Sequence, residues 1–182
     1  WGNSLFVMES KTDTGDVLDF EPFVIDPRDD ARTAYLKVDR TSMIMLERTI
    51  EKIGNGTISR KPQDKSLATR YYKRTPRDGE IKLEWDPIKI CDYVRGLTHP
   101  YPGAFVKTLY GDIKIWSASH STWNSNFDIG TVHLVRPGMG IEVQVGDGKC
   151  IRLERISVDG FEEWADEWAI RNKIFHKSNL LT

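Results

Sequence analysis

Cysteine is nearly absent from this chain. Two occur, Cys91 and Cys150, and neither sits in a Cys-x-x-Cys or Cys/His spacing. A zinc site and a disulfide framework are therefore not expected. Both cysteines read as small buried thiols in a reducing compartment, so a cytoplasmic location is expected. No apolar run approaches the ~18 residues of a membrane span. No basic-then-apolar stretch opens the chain, so no secretory signal is expected in these residues. An excess of either charge is missing too: 26 basic and 27 acidic residues leave a net charge of −1. That argues against a nucleic-acid binder working by bulk positive charge.

Common site motifs are missing as well. There is no phosphate-cradling Gly-rich loop, no His-Glu-x-x-His and no Gly-x-Ser-x-Gly. The four histidines, His99, His120, His133 and His176, are scattered, and none has a second ligand at metal-binding spacing, so no metal is expected.

What is present is enough for a core. Of the 182 residues, 39% are apolar, with six Trp, six Tyr and seven Phe, which excludes wholesale disorder. Residue 1 is Trp and strand-like sequence begins at once, so the chain is expected to be the C-terminal part of something longer. Residues 3–9 read as a short strand, 11–16 as a turn, and 17–25 as a second strand. Asp26-Pro27-Arg28-Asp29-Asp30 supplies a stop and a helix N-cap. Helical spacing runs from Ala31 to Ile53, with a break predicted near Thr41-Ser42 where the apolar stripe shifts. Gly54-Asn55-Gly56 ends it by a left-handed cap.

Composition changes over residues 57–80. Arg60, Lys61, Lys65, Arg70, Lys73, Arg74 and Arg77 concentrate there, and the stretch reads as an extended, solvated linker or a strip facing an anion. Asp86-Pro87 starts a second helix. Five short strand-like runs follow, at 104–109, 113–117, 131–135, 141–145 and 150–156, punctuated by glycine. That pattern suggests a small barrel of OB type, with a helix over 161–174 packed on it.

One short string carries chemistry. Asp13-Thr14-Gly15-Asp16 joins two strands. Gly15 is expected to supply a positive φ and so tighten the turn, holding a carboxylate out from the strand ends. A plain Asp-rich turn explains the same residues.

Several separated strings decide between these readings. Gly2-Asn3-Ser4-Leu5-Phe6-Val7-Met8-Glu9 with Asp13-Thr14-Gly15-Asp16 resembles the second half of a folate-dependent formyltransferase domain. Pro62-Gln63-Asp64 and Ala68-Thr69 are similar to that family's linker. Asp78-Gly79-Glu80-Ile81 and Trp85-Asp86 resemble the entry to its C-terminal domain. Arg95-Gly96-Leu97-Thr98-His99-Pro100-Tyr101-Pro102-Gly103-Ala104-Phe105 looks like its arginine followed by a Pro-x-Pro-Gly-Ala segment. The resemblance covers nearly the whole chain in order. It implies an α/β end-piece of a Rossmann-like formyltransferase domain over 1–56, a linker over 57–80, and a small OB-like β-barrel domain over 81–182.

The family contains methionyl-tRNA and amino-sugar formyltransferases, which move a formyl group from 10-formyltetrahydrofolate to a primary amine. The resemblance makes Asp13 catalytic, assisting proton transfer and holding a partner histidine. It places Glu9, Ser10, Lys11 and Thr12 against the pterin of the folate co-substrate. Amine attack needs an unprotonated nitrogen, so a carboxylate base is physically sensible. The family's catalytic Asn and His precede this stretch, and Phe6 stands where many relatives carry a histidine. The chain by itself is therefore expected to be inactive.

Partners follow from the same resemblance: a small-molecule amine acceptor or initiator tRNA, no membrane, and compatibility with a homodimer. Residues 81–182 carry 12 basic and 13 acidic residues, which favours a nucleotide-linked amino sugar over a polyanionic tRNA. A different class of function is a non-catalytic OB-type module, with Phe105, Tyr110, Trp116, Trp123 and Phe127 stacking bases.

Overall fold

The structure is a computed structural model that describes residues 1–181. The chain divides into two compact units, Trp1–Lys73 and the residues from Arg74 onward.

In the first unit, β1 (Gly2–Phe6) and β2 (Val17–Pro22) form an antiparallel hairpin. They are followed by α1 (Ala31–Gly54). Asp30 caps α1: its Oδ1 accepts from the Thr33 N–H at 2.8 Å, and the Thr33 hydroxyl accepts from the Asp30 N–H at 2.9 Å. A reciprocal cap of this kind contributes about 1 kcal/mol. Just before it, Asp29 accepts from the Lys37 ammonium and from the Asp26 N–H. Those bonds hold its carboxyl down at about 2. Gly56, at φ +67°, ends the helix in the left-handed region.

The spacing predicts a break at Thr41-Ser42, and the structure has none. The Thr41 hydroxyl donates to the carbonyls of Lys37 and Val38, and the Ser42 hydroxyl to that of Val38, all at 2.8–2.9 Å. Both side chains fold back on the preceding turn, so α1 runs through.

In the second unit a short 3-10 turn (Pro76–Gly79) precedes α2 (Pro87–Leu97), which is capped by the Asp86 carboxylate on the Ile88 N–H at 2.8 Å. Then come β3 (Ala104–Thr108), β4 (Gly111–Asn124), β5 (Val132–Arg136), β6 (Gly140–Gln144), β7 (Lys149–Val158), β8 (Phe161–Trp164) and α3 (Ala165–Arg171). The ladders between these strands are antiparallel, in the order β3-β4-β7-β6-β5, with β8 also on β7. One face of this sheet and the two helices enclose Ile90, Val94, Ile113, Ile115, Ile141, Val143, Ile151, Leu153, Ile156, Trp168 and Ala169. Each such aliphatic side chain contributes roughly 1.5–3 kcal/mol by leaving water.

All five predicted strands exist. The trailing stretch differs from its reading: residues 161–164 are β8, and the helix begins at Ala165. Sheet order also bears on the expected barrel. Among the described residues no ladder joins β3 to β5. Glu80 forms an isolated parallel bridge with Phe105 of β3, and residues 177–180 bond to Leu109, just past β3, and to residues 130–132 at the start of β5. Leu109 N–H donates to Leu180 O and Leu180 N–H to Gly130 O, each at 3.0 Å, while Val132 N–H donates to Ser178 O at 2.7 Å.

Candidate functional site

The β1–β2 connection is a loop of residues 7–16. Val7 N–H donates to Asp16 O at 3.0 Å and closes its base. Inside, the Thr14 hydroxyl donates to Lys11 O at 3.0 Å and approaches Glu9 Oε2 at 3.4 Å. Residues 8–13 are exposed, so Glu9, Ser10, Lys11, Thr12 and Asp13 form one accessible rim. The five residues singled out in the sequence are thus brought together.

The loop's stereochemistry differs from the expectation for Gly15. The left-handed residue is Asp13, at φ 56°. An Asp tolerates that region better than most residues. Gly15 is required for a different reason: a Cβ there would lie 1.8 Å from Val7 O. The glycine lets the returning strand pass against the outgoing one, and Asp13 stays exposed.

Gln63 completes the brace. Its side-chain amide donates to Asp13 O at 3.1 Å and Gly15 O at 2.6 Å. Lys61 continues the same support, exchanging two 2.9 Å backbone bonds with Val17 on the outer edge of β2. Sequence reasoning did not assign Gln63 a role, because it lies some fifty positions away; only its place in the Pro62-Gln63-Asp64 string pointed to it. Chemically, the rim offers one carboxylate fixed through its own backbone, flanked by exposed polar groups. Among the described residues no group of three or more His, Cys, Asp or Glu is arranged to hold a metal ion.

The second unit holds a separate cavity of about 370 Å³. Its lining includes Arg74, Thr75, Pro76, Leu97, Tyr101 and Pro102. Beside it, the Tyr93 hydroxyl donates to Asp78 O. Two bonds from Thr75, N–H first and hydroxyl second, hold the Asp78 carboxyl below its ordinary range, with the Arg74 charge adding to them. Four of the five aromatics considered for base stacking pack in three separate groups. Tyr110 meets Trp168 edge-on at 5.4 Å, Trp116 is covered by His99, and Trp123 and Phe127 both pack on His133.

Comparison with known proteins bears on the reading. Residues 73–170 match the formyl transferase, C-terminal domain family. The chain belongs to that family. A methionyl-tRNA formyltransferase from Blochmanniella floridana is 33% identical over 156 residues, which cover 82% of this chain and 48% of that protein. This formyltransferase-family chain thus spans about half the length of the curated relative it matches.

Two solved structures share the fold. HypX from Aquifex aeolicus, in complex with tetrahydrofolic acid, superposes with a TM-score of 0.71 at 16% identity, covering 91% of this chain and 29% of that one. An N-formyltransferase from Helicobacter canadensis, in complex with folinic acid and dTDP-3-aminofucose, gives a TM-score of 0.55 at 19% identity, with 82% and 54% covered.

Proposed function

We propose that this chain is part of a 10-formyltetrahydrofolate-dependent N-formyltransferase that acts on a primary amine. The family match carries the reading, and the Asp13 loop gives it a place for the chemistry. The acceptor nitrogen would attack the formyl carbon, the bond to the folate N10 would break with its electron pair on N10, and N10 would take up a proton. Asp13 would receive the proton shed by the amine. Glu9, Ser10, Lys11 and Thr12 would line the pterin, largely through backbone groups. The folate-bound HypX and the folinic-acid complex of the Helicobacter enzyme, both of this fold, support that co-substrate.

A nucleotide-linked amino sugar is the acceptor favoured by the balanced charge of residues 81–182. The 33% identity to a methionyl-tRNA formyltransferase favours initiator tRNA as the second reading. The finer architecture belongs to the same proposal: a Rossmann-like end-piece over 1–56, a linker over 57–80, and an OB-like barrel over 81–182. A cytoplasmic site fits two buried free thiols.

The test uses a protein carrying this chain within a complete formyltransferase domain, supplied with 10-formyltetrahydrofolate. A dTDP-linked 3-amino sugar and charged initiator methionyl-tRNA are offered separately, and mass spectrometry reads the formylated product. Product on the sugar alone supports the first acceptor, product on the tRNA alone the second. No product with either, nor with a panel of simple primary amines, would end the formyl-transfer reading.

A further inference from the structure

The cavity of the second unit has two fastened walls. One is the 3-10 turn Pro76–Gly79, the other the end of α2 with the Tyr101-Pro102 corner. The Tyr93 hydroxyl donates to Asp78 O, and just past the turn Ile81 N–H donates to Phe105 O at 2.7 Å. At the corner, Gly103 N–H donates to Leu97 O and Tyr101 N–H to Thr98 O, each at 3.0 Å. Pro76 and Pro102 add fixed φ angles. Such a space is largely preformed, as ligand sites are.

One lining residue has no structural reason for its identity. Gly96 lies within α2, where glycine is the least favourable residue after proline. Its φ is not left-handed, and a Cβ there would meet nothing within 4 Å. Neither backbone nor packing asks for glycine, and alanine would make the better helix. What glycine does at this position is leave the cavity wall bare.

The rest of the lining defines an occupant. Pro76, Leu97, Tyr101 and Pro102 present apolar and aromatic surface, which suits a planar ring. Arg74 supplies charge. It is exposed and makes no hydrogen bond or ion pair among the described residues. Asp78, the acid of the lining, is already engaged: its carboxylate accepts from the Thr75 N–H at 2.5 Å and from the Thr75 hydroxyl at 3.0 Å. A guanidinium matches a carboxylate in a two-bond fork. A phosphate ester would bring nearly two negative charges beside Asp78, so a single carboxylate fits better. At about 370 Å³ the space takes a molecule at the small end of the usual ligand range.

We propose that this cavity is a binding site for a small aromatic carboxylate, with the ring against Leu97, Tyr101 and Pro102 and the carboxylate on Arg74. None of the lining residues belongs to the loop of residues 7–16, and the site owes nothing to the formyl-transfer reading.

Indole-3-acetate is the probe, and its neutral isostere indole-3-acetamide the control. Each is titrated into the full 182-residue chain, labelled with nitrogen-15 and followed by amide chemical shifts. Amides of Thr75, Gly79, Gly96, Leu97 and Gly103 should shift saturably with indole-3-acetate, with a Kd on the order of 1 mM for a ligand of about 13 heavy atoms. The acetamide should bind about 3-fold more weakly, as one exposed ion pair allows, and Arg74→Gln should bring the acetate down to the acetamide's affinity. Gly96→Leu should weaken both by at least ~10-fold while the melting temperature stays level or rises, because a better helix former then fills open space. The proposal is overturned by shifts that scatter over the chain or fail to saturate, by equal affinity for the two probes, by an Arg74→Gln chain that still prefers the acetate, or by a Gly96→Leu chain that binds as the parent does or melts lower. None of these results touches formyl transfer, which the acceptor assay decides separately.

Discussion

The imidazole of His99 lies flat on the indole of Trp116, ring centroids 4.0 Å apart and 8° from parallel. His99 Nε2 is 3.2 Å from Glu162 Oε2, and Glu162 Oε1 accepts from Arg155 at 3.1 Å. The Thr98 hydroxyl donates to Trp116 O at 2.9 Å. The α2–β3 corner is thereby fastened to β4, β7 and β8. Gly103, at φ +88°, passes under the same indole, where a Cβ would stand 2.9 Å from two ring carbons.

Gly103→Val should therefore destabilise the second unit by roughly 1–3 kcal/mol, through the left-handed backbone and the collision together. Replacing the ring separates the two causes. In a Trp116→Leu background, Gly103→Ala should cost less than in the parent but still cost something, because the φ penalty remains. Thermal unfolding of the parent, the three single variants and the double variant reads this. An unchanged melting temperature for Gly103→Val would contradict the corner's rigidity.

Acid should loosen the same corner. Burial acts to raise the Glu162 carboxyl, but the bonds with His99 and Arg155, and their charges, outweigh it and hold the group below its ordinary value. A depressed carboxyl contributes stability above its unfolded value, and that contribution is lost as pH falls through the lower folded one. Glu162→Gln should lower the melting temperature at pH 7 by about 1–4 °C, since the group is partly exposed. At pH 3 the gap to the parent should close. A gap that widened in acid would reverse the assignment.

The two thiols should be inert in the native chain. Burial first, and the charges of Asp92, Glu154 and Asp86 after it, push the Cys91 thiol up to about 11. Burial and Glu142 do the same for Cys150, also to about 11. At pH 8 neither should react with a disulfide reagent within minutes, and both should react in denaturant. Unfolded thiols ionise at lower pH, so stability should fall as pH rises from about 9 towards 11.

Legibility followed the locality of the cause. β3, β6 and β7 were readable because Val106, Ile141, Val143, Ile151 and Leu153 are β-branched or aliphatic residues on one face. The second half of β4 was not, because Ser117-Ala118-Ser119-His120-Ser121 has no apolar alternation. Its residues are held by the β7 ladder and by bonds such as Ser117 and Ser119 to Glu154. Trp164 and Trp168 suggested helix by their spacing, yet Trp164 ends β8 and only Trp168 is buried in α3. The bonds of residues 177–180 to Leu109, Gly130 and Val132 join segments far apart in sequence, which no local pattern records. At the site, the Asp13 loop was legible in Asp-Thr-Gly-Asp, whereas Gln63 was not.

That unread brace leads to the last prediction. If Asp13 receives a proton in the transition state, Asp13→Asn in a complete formyltransferase should lower kcat on the order of 10²- to 10⁴-fold with little change in KM. Gln63 acts one step removed. Its amide holds the carbonyls of Asp13 and Gly15, so Gln63→Leu frees the loop without removing the carboxylate. It should lower kcat less than Asp13→Asn does, and Gln63→Asn should not rescue it, because the shorter side chain falls short of both carbonyls. In Asp13→Asn, adding Gln63→Leu should cost little more, since the brace then positions a group that no longer takes the proton. Steady-state kinetics on the two single variants and the double variant decide the matter. Additive losses would mean that Gln63 serves something other than Asp13, and normal turnover in Asp13→Asn would return the loop to a plain turn.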